Sequence, residues 1–307
     1  MHKGGWEMNV IECKGLTKVY GKTKALNDIS FTLTENKITG LIGRNGAGKT
    51  TLLKIISGYL KETSGEVKVF SESPFNNLKV SANLIFVNEE MSYPGSLNLG
   101  EILKAAATFY ENLDMELAER LMNYFSLDLR QYHTSLSKGM RSTFNTIVGI
   151  SSRCALTVYD EPTSGMDAGV RKDFYRALLK DYIAYPRTIL LSSHLLNEVE
   201  DILEDILLIK SGEKYLHMAM GDLKEYAIAL SGRSVSITKW AEERKVIFQK
   251  SLGAGSSYIV VKNDLSALEI EQARNEGIEL MPVSADDLCV YLTNKTIGGI
   301  DDVFSRS

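Results

Sequence analysis

Residues 43–50 read GRNGAGKT, and this stretch decides the fold. It fits G-x-x-x-x-G-K-[ST] at every fixed position. The run ITGLI (38–42) precedes it and reads as a buried strand that stops at glycine. The run KTTLLKIISG (49–58) follows and reads as a helix. A strand–loop–helix unit of this kind turns its backbone N–H groups toward one point. The glycines permit the turn, and the helix N-terminus adds partial positive charge. Lys49 then reaches the β- and γ-phosphates of a nucleoside triphosphate, and the Thr50 hydroxyl ligates Mg²⁺. A glycine-rich turn with no ligand has no need of a lysine and a threonine at these two places. The candidate phosphate contacts are therefore Arg44, Asn45, Gly46, Ala47, Gly48, Lys49, Thr50 and Thr51.

Working outward, short β-type runs alternate with longer helical patterns over the first two-thirds of the chain. VIEC (10–13), ALNDISFTL (25–33), GEVKVF (65–70) and NLIFV (83–87) read as strands. ALTVY (155–159) and TILLSS (188–193) are continuous apolar runs of the kind that helices cover on both faces. From Leu97 to about Phe125 the apolar spacing is three and four, which predicts helix. A second helix is expected to start near Ser137. The expected fold class is α/β: a P-loop core with a helical subdomain at about 90–150, together spanning 8–230. The texture then changes. SVSI, KVIFQKSL, SYIVVK and IELMPV read as four strands, with helices expected at 238–244, 266–276 and 284–293. The order predicts a small α+β, ferredoxin-like domain over 233–296, with the boundary near Gly232.

Two further strand ends carry chemistry. Asp160 and Glu161 close the run ALTVYDE, and carboxyl ends of parallel strands are where α/β proteins bind ligands. Asp160 would hold Mg²⁺, and Glu161 would polarise the attacking water. His194 ends TILLSSH, where a neutral imidazole can hydrogen-bond a γ-phosphate. His2, His133 and His217 read as structural.

Composition narrows the class. The formal net charge of −4 argues against a nucleic-acid partner. The opening residues, MHKGGWEMNV, have no apolar core of a secretory signal, and no run of about 18 apolar residues exists for a membrane span. Cys13, Cys154 and Cys289 are far apart and odd in number, so they read as small buried hydrophobes.

Taken in order, LTKVYG (16–21), GRNGAGKTT, LSKGM (136–140), YDEPTSGMD (159–167) and SSH (192–194) resemble the ATP-binding subunit of an ABC transporter. The resemblance covers about residues 9–225. The C-terminal stretch ending MPVSADDLCVYLT is also similar to the extra domain of a bacterial exporter subgroup, that of the YtrB-like and phenol-soluble-modulin exporters. The resemblance implies that Tyr20 stacks on adenine, an interaction worth on the order of 1–3 kcal/mol. It implies that Asp167 meets a second ATPase subunit. It implies that Ser137, Lys138 and Gly139 face the γ-phosphate bound by that partner, in a homodimer or a heterodimer. A membrane permease subunit is the other implied partner, which would hold the chain at the cytoplasmic face of the membrane. Tyr93, Leu97 and Leu99 are the candidate contacts with it.

The implied function is ATP hydrolysis that drives a bacterial exporter, with hydrophobic or amphipathic peptides as the implied cargo. A non-transport or regulatory ABC-type ATPase is the alternative; it predicts tandem P-loops or a basic surface, and the chain has one P-loop and a negative balance. Three positions depart from the family pattern, one of them Met140, which stands where L-S-G-G-Q ends in glutamine. Glu89, with Glu90 as the alternative register, stands where a Mg²⁺-ligating glutamine is usual. Lys138 stands where L-S-G-G-Q has its first glycine. Lys138 either tunes the phosphate contact or is a solvated side chain of no consequence.

Overall fold

The computed structural model describes residues 8–194 and 196–294. The chain divides after His217 into two units. In the first, β1 (Asn9–Tyr20), β2 (Thr23–Thr34) and β4 (Ser64–Val69) form an antiparallel sheet in the order β2-β1-β4. A second sheet has the order β5-β6-β7-β3-β8-β9. Its strands are β3 (Ile38–Ile42), β5 (Leu84–Val87), β6 (Leu156–Asp160), β7 (Thr188–Ser193), β8 (Asp205–Lys210) and β9 (Glu213–Ala219). β5, β6, β7, β3 and β8 run parallel. Every residue of β3, β5, β6 and β7 is buried. That is why these strands read as unbroken apolar runs rather than alternating ones.

Helix α1 (Lys49–Ile56) contacts β2 and β4 of the antiparallel sheet and β6 of the other. Its Leu52, Leu53 and Ile56 are fully buried in one core with Ile11, Leu26 and Val158. The helix that presents the phosphate turn is thus fixed by both sheets. α2 (Leu78–Asn83) follows, capped by the Asn77 side chain.

Three helices lie between β5 and β6. α3 (Leu99–Phe109) begins with a capping box between Asn98 and Glu101. α4 (Met115–Tyr124) is capped by Asp114, and α5 (Lys138–Ser151) is capped by Ser137. The single helical pattern expected from Leu97 to Phe125 is broken at Tyr110, because the Asp114 cap starts a new helix. The short 3₁₀ turn His133–Ser135 leads into α5. α6 (Ala168–Ala184) and α7 (Leu196–Val199) complete the unit.

The second unit contains α8 (Met220–Glu225), β10 (Ala227–Arg233), α9 (Ser234–Glu242), β11 (Val246–Gly253), β12 (Ser256–Lys262), α10 (Ala267–Asn275), β13 (Glu279–Pro282) and α11 (Ala285–Thr293). The antiparallel sheet order is β11-β12-β10-β13, with α9 and α10 as the crossovers. This is the β-α-β-β-α-β arrangement. Two expectations need correction. SVSI is the start of α9, not a strand: Ile237 and Trp240, three apart, are buried while Val235 is exposed. The first strand is AIALSGR, so a boundary near Gly232 falls inside β10. Its alanines are poor strand formers on propensity, and burial of Ala229 and Leu230 in the sheet overrides that. Residues 295 and 296 of the expected domain lie outside the described residues. No helix among the described residues is long and apolar enough to cross a membrane.

A buried ion cluster joins the helices to the core of the first unit. Asp181 on α6 accepts from Arg153 (2.9 and 3.1 Å) and from Arg187 (2.8 Å). Arg153 also reaches Asp114, the α4 cap, at 3.1 Å. Removing one member of a buried cluster leaves charge uncompensated. Asp181→Ala should cost roughly 3–5 kcal/mol and lower the thermal midpoint of the first unit by about 6 °C or more. An unchanged midpoint in a melting experiment would show that the cluster contributes no net stability.

Candidate functional site

The phosphate turn is built as the sequence requires. Gly46 has φ +81° and Gly48, the cap of α1, has φ +104°. A side chain at Gly48 would meet the Ala25 carbonyl at 2.6 Å, so this position excludes any larger residue. The turn is braced from behind by a hairpin that the sequence reading did not identify. Ser211 and Gly212 both have positive φ, as a tight β8–β9 turn demands. Gly212 N–H donates to the Ala47 carbonyl at 3.0 Å.

In front of the turn is a cavity of about 340 Å³. Arg44, Asn45, Gly46, Gly48, Lys49, Thr50 and Thr51 line it, with Ala25 and Glu161. Of the expected turn contacts only Ala47 is absent; it is buried beneath. The Lys49 ammonium is buried, donates to the Gly43 carbonyl at 2.7 Å and lies 3.5 Å from Glu161 Oε1. The other Glu161 oxygen meets His194 Nδ1 at 2.6 Å. Three candidates from three separate strand ends therefore converge. Glu161 holds φ +48°, a left-handed conformation uncommon for a residue with a Cβ. Its backbone N–H is fixed by Ser192 Oγ at 3.0 Å, and the same hydroxyl donates to Asp160 Oδ1 at 2.7 Å. Ser192 thus positions both carboxylates. The signal for it was present as a hydroxyl at the end of a buried strand, one strand over from Asp160.

Thr50 and Asp160 offer hard oxygen donors of the kind Mg²⁺ takes, and the buried Asp160 carboxylate has one oxygen already oriented by Ser192. No cluster of three or more His, Cys, Asp or Glu that would hold a metal by itself exists among the described residues. Glu89 is not brought to this place. Its carboxylate pairs with Lys138 at 2.7 Å and accepts from Ser164 Oγ at 3.4 Å. The hydrogen bond from Lys138 holds that carboxyl below its ordinary range. The alternative, Glu90, pairs with Lys54 at 2.7 Å. Neither lines the cavity.

Ser137, Lys138 and Gly139 also stand outside the cavity, at the N-terminus of α5. Ser137 Oγ accepts from Met140 N–H at 3.3 Å, which leaves its own proton to donate. A Cβ at Gly139 would lie 2.4 Å from the Gly165 carbonyl, so glycine is required for α5 to approach the 164–166 loop. Asp167 caps α6 by accepting from Val170 N–H at 2.9 Å. Tyr20 is exposed at the end of β1, opposite Thr23, with the Lys18 ammonium 5.3 Å from its ring centre. It does not line the cavity.

His133 packs against Tyr93 and Phe144 and bonds Asn145 at 3.1 Å. Burial pushes its pKa down, as it does for His217. His2 lies outside the described residues. All three cysteines are buried and free.

Of Tyr93, Leu97 and Leu99, Leu99 is fully buried, while Tyr93 and Leu97 are partly buried, Tyr93 with its ring edge-on to Phe144. The open feature near them is a groove of about 830 Å³ with a mixed lining, apolar at Tyr59, Leu78 and Phe109 and polar at Lys54, Asn77 and Glu90.

A family model described as "ABC transporter" matches residues 26–164. The chain is 33% identical to an uncharacterized ABC transporter ATP-binding protein, YdbJ, of Bacillus subtilis, over 66% of this chain and 67% of that one. It is 27% identical to the ABC transporter ATP-binding protein YtrB of B. subtilis, over 92% and 95%. It is 25% identical to the bacitracin transport ATP-binding protein BcrA of Bacillus licheniformis, over 94% and 98%. The last two similarities extend through the second unit.

Residues that orient metal-ligating groups typically contribute 10- to 100-fold to affinity or activity. Ser192→Ala should therefore raise the Mg²⁺ concentration needed for half-maximal ATP hydrolysis by about tenfold, with Ser192→Thr closer to the parent. An unaltered Mg²⁺ titration would remove the positioning role.

Proposed function

The chain belongs to the ABC transporter family, and from that premise we propose that it hydrolyses ATP between two such subunits to drive the separate membrane subunit of a bacterial exporter. The observation that carries this reading is the convergence of Lys49 and Glu161 on one cavity, with His194 bonded to Glu161, while Ser137 and Gly139 stand outside it. The site is half of a site. It needs a second α5 N-terminus, supplied by another copy or by a related subunit.

The resting arrangement has a direct chemical consequence. Lys49 is held by Gly43 O and faces Glu161. The β- and γ-phosphates of ATP supply stronger, charge-assisted acceptors. They replace both, and the Glu161 carboxylate is released toward the water that attacks the γ-phosphorus. Mg²⁺, held by Thr50 and Asp160, neutralises charge on the phosphates when bound. Glu161 takes the proton of the attacking water as the bond from the γ-phosphorus to the bridging oxygen breaks, giving ADP and phosphate. His194 Nδ1 keeps the carboxylate oriented. Tyr20 presents an exposed ring to the base, and Asp167 fixes the start of α6 where the partner subunit meets it.

The 830 Å³ groove is assigned to a helix of the membrane subunit. Exposed Tyr59, Leu78 and Phe109 give it apolar walls, and its lining also includes Asn88, next to Glu89. Through that subunit the chain sits at the cytoplasmic face of the membrane. BcrA, similar along nearly its whole length, supports a hydrophobic or amphipathic peptide as cargo. The second unit is assigned an accessory, dimer-stabilising role.

Glu161→Gln should retain ATP binding and lower turnover at least about 100-fold. Steady-state hydrolysis by the assembled transporter measures it, and a normal rate would overturn the assignment of the water-polarising residue. Phe109→Asp should leave the fold intact, since the ring is 52% exposed, and abolish co-purification of the membrane subunit. Undiminished co-purification would remove the groove assignment.

A further inference from the structure

Two of the departures from the family pattern, Lys138 and Glu89, touch each other. Lys138 Nζ lies 2.7 Å from Glu89 Oε1, and Ser164 Oγ donates to Glu89 Oε2 at 3.4 Å. Three segments meet at this point: the loop after β5, the N-terminal turn of α5 and the loop between β6 and α6. Their backbones are held close independently of the charges. Ser142 Oγ donates to the Ser164 carbonyl at 2.7 Å, and Gly139 is closed against Gly165. Ser164 N–H in turn donates to the Glu161 carbonyl at 3.2 Å. A continuous chain of contacts therefore runs from Lys138 through Glu89 and Ser164 to Glu161, which lines this chain's own cavity.

Each charge alone is unfavourable where it stands. An ammonium at a helix N-terminus opposes the helix dipole. A partly covered carboxylate without a cation loses solvation with nothing to offset it. Paired, the two cancel. The pair is half exposed, with 51% of the Lys138 and 56% of the Glu89 side chain open to solvent. Exposed ion pairs are weak, and a triphosphate is a stronger acceptor for an ammonium than one carboxylate. The pair is therefore stable enough to hold Lys138 in the empty subunit and weak enough to yield to a nucleotide.

We propose that Lys138 and Glu89 act as a single positioning unit, a cis ion pair that opens when Lys138 moves to the γ-phosphate bound by the neighbouring subunit. The proposal rests on the two-subunit reading above. Before closure Glu89 holds the ammonium back. On closure the ammonium turns to the partner's nucleotide, and Glu89 is released beside Ser164, whose backbone N–H bonds the Glu161 carbonyl. Occupation of one nucleotide site is thereby felt at the other. Glu89 acts through Lys138 and not as a ligand of Mg²⁺.

The test is a double-mutant cycle on the assembled transporter in lipid vesicles, with ATP titrated at saturating Mg²⁺. Lys138→Met should raise the half-saturating ATP concentration by on the order of three- to fivefold and lower the Hill coefficient, with a smaller change in kcat. Glu89→Gln should shift the half-saturating concentration the other way, because the ammonium is no longer restrained. In the Lys138→Met background, Glu89→Gln should do nothing further. Lys138→Arg, which keeps the charge, should retain the parent cooperativity. Equal effects of Glu89→Gln in both backgrounds would overturn the proposal. So would an altered Mg²⁺ requirement on Glu89→Gln in a separate Mg²⁺ titration at saturating ATP, or an unchanged ATP titration for Lys138→Met. These failures leave the ATPase assignment standing, since that is decided separately by Glu161→Gln.

Discussion

One buried ammonium sets the terms for the rest of the first unit. Lys49 is 7% exposed, and a buried charge with no partner costs several kcal/mol. The fold supplies the Gly43 carbonyl and the Glu161 carboxylate as its partners. These contacts tie the end of β3 to the end of β6, and through Ser192 and His194 to the end of β7. The same contacts hold the Glu161 carboxylate against the Lys49 ammonium, and the proposed ATP chemistry starts from that arrangement.

The second constraint is steric. Gly139 and Gly165 bring α5 against the loop after β6 at a distance no Cβ would allow. This close approach places Lys138 within reach of Glu89 and Ser164. A lysine at the first position of the turn is accommodated because its stem runs along Gly165 and its charge is met in cis. The turn is complete as a half-site, with Ser137 capping α5 and still able to donate.

Much of this was legible in the residues. GRNGAGKT between an apolar run and an amphipathic one specifies strand, turn and helix, because the local glycine conformations and the lysine chemistry leave few alternatives. Asp160, Glu161 and His194 were identifiable as ends of buried strands. Other elements were obscured by competing physics. The 227–233 strand is rich in alanine and glycine, and its β conformation comes from sheet burial rather than propensity. SVSI alternates like a strand, yet Ile237 and Trp240 bury one helical face. Leu99 and Tyr93 looked like surface contacts because periodicity marks an apolar face without saying what covers it.

The sequence by itself determined the phosphate turn, the parallel core and the family, because these depend on local backbone geometry and on contiguous motifs. Tertiary structure alone decided the partners of the charges. Glu89 and Lys138 are 2.7 Å apart across a long stretch of chain; read along the chain, one was a metal ligand and the other either tuned a phosphate contact or was a solvated side chain. Ser192 became a positioning residue only when β7 lay beside β6. An ion pair or a shared hydrogen bond depends on distance in space, and the order of residues carries that distance only after the chain has folded.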